Sequence, residues 1–140
     1  MIFYIIYLSS TTGLLSESDL ADILSVSRIN NTAKDITGLL LHNDGNILQV
    51  LEGNEETVMN VFFKIEKDSR HRGIIKMLSG TSSERNFPDW SMGYKKVSGD
   101  KWDDLSACLK MNHANVSSKS LNNNEMIDTV VSSYMEINVN

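Results

Sequence analysis

The chain has 140 residues, a net charge of −5 from 13 Lys and Arg against 18 Asp and Glu, 41% hydrophobic residues and a single cysteine. That length fits one domain, able to bury about two-thirds of its unfolded surface without metals or disulfides; Cys108 has no internal partner, which makes a reduced, cytoplasmic setting the default. The acidic balance argues against direct nucleic-acid binding, and the apolar start, Met1 to Leu8, has no basic leader and is too short to span a bilayer, so no membrane partner is expected.

Ile2 to Ser9 is apolar at nearly every position, the pattern of a central strand covered on both faces, with Tyr7 near its C-terminal end. A Ser/Thr/Gly turn follows, and Ser16-Glu17-Ser18-Asp19 offers a helix N-cap and first-turn acids. Leu20, Ile23, Leu24, Ser27 and Asn31 then fall on one side of a helix, so its inward stripe turns polar in the last turns. A ligand contact explains that change, and so does a helix end reaching the surface.

Ile36 to Leu41 reads as a second strand, and Asp44-Gly45 as the two-residue turn into a third, Asn46-Ile47-Leu48-Gln49-Val50-Leu51-Glu52-Gly53. Strand alternation puts Gln49 on the face of Ile47 and Leu51, so its amide should be buried. Leaving it unpaired costs roughly 1–3 kcal/mol, so a polar partner must meet it; backbone or water is the ordinary one.

Glu55-Glu56 opens a second helix with Val58, Phe62 and Ile65 at helical spacing, expected to end at the basic run Arg70-His71-Arg72 and at Gly73. Ile74 to Leu78 reads as a fourth strand and, after the Phe87-Pro88-Asp89 loop, Trp90 to Val97 as a fifth, with Trp90 and Met92 on one face. The expected fold is α+β, a ferredoxin-like β-α-β-β-α-β with an added fifth strand: a mixed sheet with two helices on one face. The other face also needs cover. A C-terminal helical cap is expected to supply it, from the stripe Trp102, Leu105, Leu109, Met111 and from Met126 to Tyr134, separated by a Ser/Asn-rich link. The division is then residues 1–97 as the binding domain and 98–140 as an extension packed on the sheet.

Tyr7, Asn31, Ile36-Thr37-Gly38, Gln49 within Leu48-Gln49-Val50-Leu51-Glu52-Gly53, Asp68 with Arg70-His71, and Trp90-Ser91-Met92 together closely resemble the BLUF family, blue-light sensors that use a flavin, over residues 1–97. The resemblance implies FAD held non-covalently between the two helices with its ring over the sheet, FMN or riboflavin being alternatives. It implies that Asn31 bonds the pyrimidine edge, that Gln49 sits between the ring and the Tyr7 hydroxyl, and that Tyr7 donates an electron and a proton to the excited flavin. Ser27 would face the ring, Asn30 its face, His71 its edge, and Lys64 and Arg70 the phosphates, while Trp90 and Met92 lie on the strand that moves near the glutamine. Whether Gln49 rotates or tautomerises stays open.

The chain shows no phosphate loop, metal-spaced His/Cys set or nucleophile elbow, and residues 98–140 are too few for a cyclase or phosphodiesterase domain. A non-enzymatic photosensor is therefore expected, acting through a downstream signalling protein and forming a homo-oligomer as short relatives do. A ferredoxin-like enzyme of the acylphosphatase kind would need an arginine in the loop after strand one, and Ser9 to Leu14 has none. A light-independent small-ligand or dimerisation module is the remaining alternative.

Overall fold

The computed structural model describes residues 1–11, 17–43, 45–68, 71–88, 91–97, 99–100 and 102–103. Seven elements follow in order: β1 (Ile2–Thr11), α1 (Glu17–Ala33), β2 (Thr37–Asn43), β3 (Asn46–Gly53), α2 (Glu55–Lys67), β4 (His71–Ser82) and β5 (Gly93–Lys96). The sheet runs β4-β1-β3-β2-β5, with β2 and β5 parallel and every other neighbouring pair antiparallel. This is the expected ferredoxin-like mixed sheet.

The β2–β3 hairpin closes on the Asn43–Asn46 pair, leaving two residues for the turn. Gly45 sits there at φ 84°, in the left-handed region that such turns require and glycine adopts freely; Asp44 lies outside the described residues. Where the same strands approach most closely, a Cβ on Gly38 would stand 2.0 Å from the Val50 carbonyl oxygen.

Both sheet faces are buried, as the unbroken apolar strands demand. Ile5, Tyr7, Leu40, Ile47 and Leu51 meet Leu20 and Leu24 of α1 and Val58 and Phe62 of α2. Alternation sends Tyr4, Ile6, Leu39, Leu48 and Val50 to the other side, where Phe87, Val97 and Trp102 cover them. Burying each such side chain contributes about 1.5–3 kcal/mol. Trp102 is thus where the expected cap places it, while Leu105, Leu109, Met111 and the stretch from Met126 to Tyr134 lie outside the described residues.

The second helix ends earlier than the basic run suggests. Asn54 caps it by accepting from the Thr57 N–H at 3.3 Å, Lys64 and Lys67 occupy its last turn, and Asp68 is already extended. His71 instead pairs with Thr11 at the start of β4. Ten residues of β1 present backbone groups that need partners, and a longer β4 satisfies them where a longer helix cannot. Gly73, expected to stop the helix, lies inside β4 at φ 60°, where the β1–β4 register shifts between Leu8 and Ser10. It serves a β-bulge.

A buried carboxylate fixes the approach to β5. Glu52 is fully buried and accepts from the Thr37 hydroxyl at 2.9 Å, the Asn86 N–H at 2.9 Å and the Phe87 N–H at 2.6 Å. Arg85 donates to the Glu52 and Asp35 carbonyls at 3.2 and 2.8 Å, tying the same loop to the β2 and β3 ends. β5 is shorter than expected, and Ser91 and Met92 precede it as bends. Among the described residues no helix is long and apolar enough to cross a membrane.

Candidate functional site

Tyr7 and Gln49 are direct partners in the β1–β3 register. Both project toward the helices, and the Tyr7 hydroxyl donates to Gln49 Oε1. Tyr7 is fully buried, its ring tilted against Phe62 at a centroid distance of 5.3 Å. Burial, by disfavouring the phenolate, pushes its hydroxyl pKa far above the ordinary value. The buried Gln49 amide therefore does have a polar partner, and it is a side chain.

Its other end is less well met. Gln49 Nε2 points at the Met92 sulfur at 3.5 Å, a weak acceptor. Met92 is buried and held from α1: Arg28 Nε donates to its carbonyl at 3.1 Å, and Asn31 Nδ2 donates to the Ser91 carbonyl at 2.8 Å. Asn31 is buried, and its Oδ1 makes no hydrogen bond among the described residues.

Over Gln49, between α1 and α2, lies a cavity of about 170 Å³ whose polar lining includes Ser27, Asn30, Asn31, Gln49, Lys64 and Asp68. A smaller one of about 80 Å³ adjoins it, sharing Ser27, Gln49, Ile65 and Asp68 and reaching Leu40. Apolar walls with a few convergent amides suit a planar heteroaromatic ring. Asn31 Oδ1 is an open acceptor for a ring N–H, and Gln49 Nε2 is a donor with only sulfur as partner. The residues present therefore fit a flavin ring.

The structure thus brings together Ser27, Asn30, Asn31, Gln49 and Lys64 around one cavity, with Tyr7 beneath Gln49 and Met92 beside it. Arg70 and Trp90 lie outside the described residues, and His71 has a backbone place in β4 but no described side chain. Three residues were missed as site members. Asp68 lies in the motif that carries the family resemblance, Arg28 follows Ser27 directly, and Lys34 lines the same cavity just past the end of α1.

A family model described as BLUF, sensors of blue-light using FAD, matches residues 2–93. The chain is similar to the dark-state structure of BlrB, a BLUF protein, at 27% identity and a TM-score of 0.69, covering 94% of this chain and 96% of that one. It is also similar to Klebsiella pneumoniae BlrP1 solved with FMN and cyclic diGMP, at 31% identity and a TM-score of 0.64, over 69% of this chain and 26% of that one. The photoactivated adenylate cyclase subunit beta of Euglena gracilis is 33% identical over 87 residues, which is 61% of this chain and 10% of that protein.

Proposed function

Because the chain belongs to the BLUF family, we propose that it is a blue-light sensor that holds FAD non-covalently between α1 and α2 and reports illumination through the Tyr7–Gln49–Met92 contact. The observation that carries this reading is the buried Tyr7 hydroxyl donating to Gln49 Oε1 on the floor of the amide-lined cavity. When bound, the flavin supplies a ring that absorbs blue light and accepts an electron.

The chain's own residues supply the rest. Asn31 and Gln49 orient the ring edge, Ser27 and Asn30 flank it with Asp68, and Lys64 and Arg70 lie toward the phosphates with His71 near the ring edge. Burial keeps the Tyr7 hydroxyl protonated at ordinary pH, so in the dark it is a standing donor. Its proton can leave only along the hydrogen bond to Gln49 Oε1. An amide carries a donor and an acceptor, so turning it over or changing its tautomer exchanges what it offers to Tyr7 and to Met92. In a desolvated pocket that exchange is strongly felt. Met92 then registers the change, with Trp90 on the same segment.

Residues 1–97 form the sensing domain in this reading, and residues 98–140 an extension on the sheet. Output passes to a downstream signalling protein, with a homo-oligomer as the working unit. The cyclase named in the Euglena relative is not carried over by a match that spans a tenth of that protein. Purifying the chain tests the proposal: a yellow protein that releases intact FAD on denaturation supports it, and a colourless protein that no flavin restores rejects it.

A further inference from the structure

The contact between Gln49 Nε2 and the Met92 sulfur cannot hold itself in place, because a thioether is a weak acceptor and the separation is 3.5 Å. Met92 stands there because its chain segment is pinned. On the helix side, Arg28 and Asn31 hold the Met92 and Ser91 carbonyls. Downstream, the Val97 N–H donates to the His42 carbonyl at 2.8 Å and the Val97 carbonyl accepts from Asn43 Nδ2 at 2.9 Å. Upstream, the pin is the Glu52 carboxylate, which lies beyond Gln49 on β3 and, by strand alternation, on the opposite face.

Glu52 takes two successive backbone N–H groups, one on each oxygen, Asn86 on Oε2 and Phe87 on Oε1, with the Thr37 hydroxyl added on Oε1. That hydroxyl in turn accepts from Arg85 Nη1 at 2.9 Å, and Arg85 reaches Asp35, just past α1, through the Asp35 carbonyl and a 3.2 Å ion pair with its carboxylate. One network thus joins the end of α1, β2, β3 and the chain that leads to Met92. Phe87 belongs to the core on the far side of the sheet and Met92 to the core on the helix side, so the chain passes from one core to the other between the Glu52 and Arg28 pins. Stability alone does not explain a carboxylate at the first of them. Burying one completely is costly, and an apolar side chain of similar volume beside Phe87 would anchor the loop as well or better. What the carboxylate adds is direction, since charge-assisted bonds to adjacent N–H groups fix where the loop leaves the sheet.

We infer that Glu52 is a positioning residue for the light response: it holds Met92 against Gln49 in the dark and supplies the restoring force that brings the pair back together after illumination. The strand that presents the amide also sets the chain that presents the sulfur. Glu52 lines neither cavity, so it acts through the chain from Asn86 to Met92 and not on the ring. The inference rests on the blue-light reading of Tyr7 and Gln49.

Dark recovery of the flavin-loaded full-length chain after a blue pulse tests it, in wild type, Glu52→Gln, Thr37→Val and Phe3→Leu. Glu52→Gln keeps the shape but sets an NH2 group against an N–H donor, and Thr37→Val removes the bridging hydroxyl. Both should bind flavin as wild type does and form the red shift, since Tyr7, Asn31 and Gln49 are intact. Both should recover severalfold to about tenfold more slowly, the change in rate expected when the dark arrangement loses about one hydrogen bond. Phe3→Leu thins the helix-side core and should lower the urea midpoint without changing recovery, which separates positioning from plain loss of stability. Wild-type recovery in Glu52→Gln and Thr37→Val, or equal slowing in Phe3→Leu, overturns the inference and leaves the light-sensing reading standing. If Glu52→Gln does not fold, the recovery rate of Thr37→Val decides in the same way. A wild-type chain that binds no flavin, or whose bound flavin shows no shift, overturns both.

Discussion

At the scale of single residues, the site depends on a hydrogen bond buried where water cannot replace it. Tyr7→Phe keeps the ring packed on Phe62 and removes only the hydroxyl, and Gln49→Leu keeps the volume and removes the amide. Both variants should still bind flavin, since Asn31 and the cavity walls remain, and both should lose the light-induced spectral shift. A normal photocycle in either would show that the Tyr7–Gln49 bond is not the relay. The Tyr7 hydroxyl also makes a pH prediction. Its folded pKa is raised above the ordinary value of 10.0 by burial. Above that value the unfolded chain ionises Tyr7 while the folded chain does not. The stability Tyr7 contributes is therefore intact below pH 10 and falls with rising pH, by about 1.4 kcal/mol per pH unit. Alkaline unfolding followed by circular dichroism should set in at lower pH for wild type than for Tyr7→Phe, each curve referred to its own stability at pH 8. Identical pH profiles would mean that Tyr7 ionises without penalty in the fold.

At the scale of elements, β1 to β3 were legible because their apolar runs, the Asp44-Gly45 turn and strand alternation all agree, and alternation alone turned Gln49 toward the helices. The inward side of α1 was equally readable, with Leu20 and Leu24 giving way to Ser27 and Asn31. What failed to show was decided by pairing across the sheet. The run from Ser69 to Gly73 has a helix-ending composition, yet His71 is claimed by Thr11 of β1 and Gly73 by a bulge. Nothing local in the sequence announces that Glu52 is fully buried to hold the Asn86 and Phe87 N–H groups, or that Lys34 and Lys64 line one cavity. The close approach of β2 and β3 gives a sharp test. Gly38→Ala sets a methyl 2.0 Å from a backbone oxygen that cannot swing aside. It should cost about 1–3 kcal/mol or more, read as a lowered urea midpoint. An unchanged midpoint would mean that the strands separate freely there.

At the scale of the whole molecule, a change at Gln49 must reach the surface through an element with two arrangements. Met92 is the first candidate, since it touches the Gln49 amide with its sulfur and is tied to α1 through Arg28 at its carbonyl. The strand that follows leads directly into Val97, which packs with Trp102 against the far side of the sheet. This route joins the helix-side pocket to the opposite face, where an extension or a partner would read it. Hydrogen exchange in dark and light should change in residues 90–97 and 101–136. Changes confined to the pocket would send the signal through the helix face near Asn30 instead. Arg28→Ala should keep the spectral shift and blunt the exchange change beyond residue 92.

The most direct test of the central claim is a light-minus-dark absorption spectrum of the flavin-loaded wild-type chain. The Tyr7–Gln49–Met92 arrangement predicts a small red shift of the flavin bands under blue light that reverts in darkness, with the flavin still non-covalent and intact. A bound flavin whose bands do not move under blue light, or that is only bleached irreversibly, would contradict it.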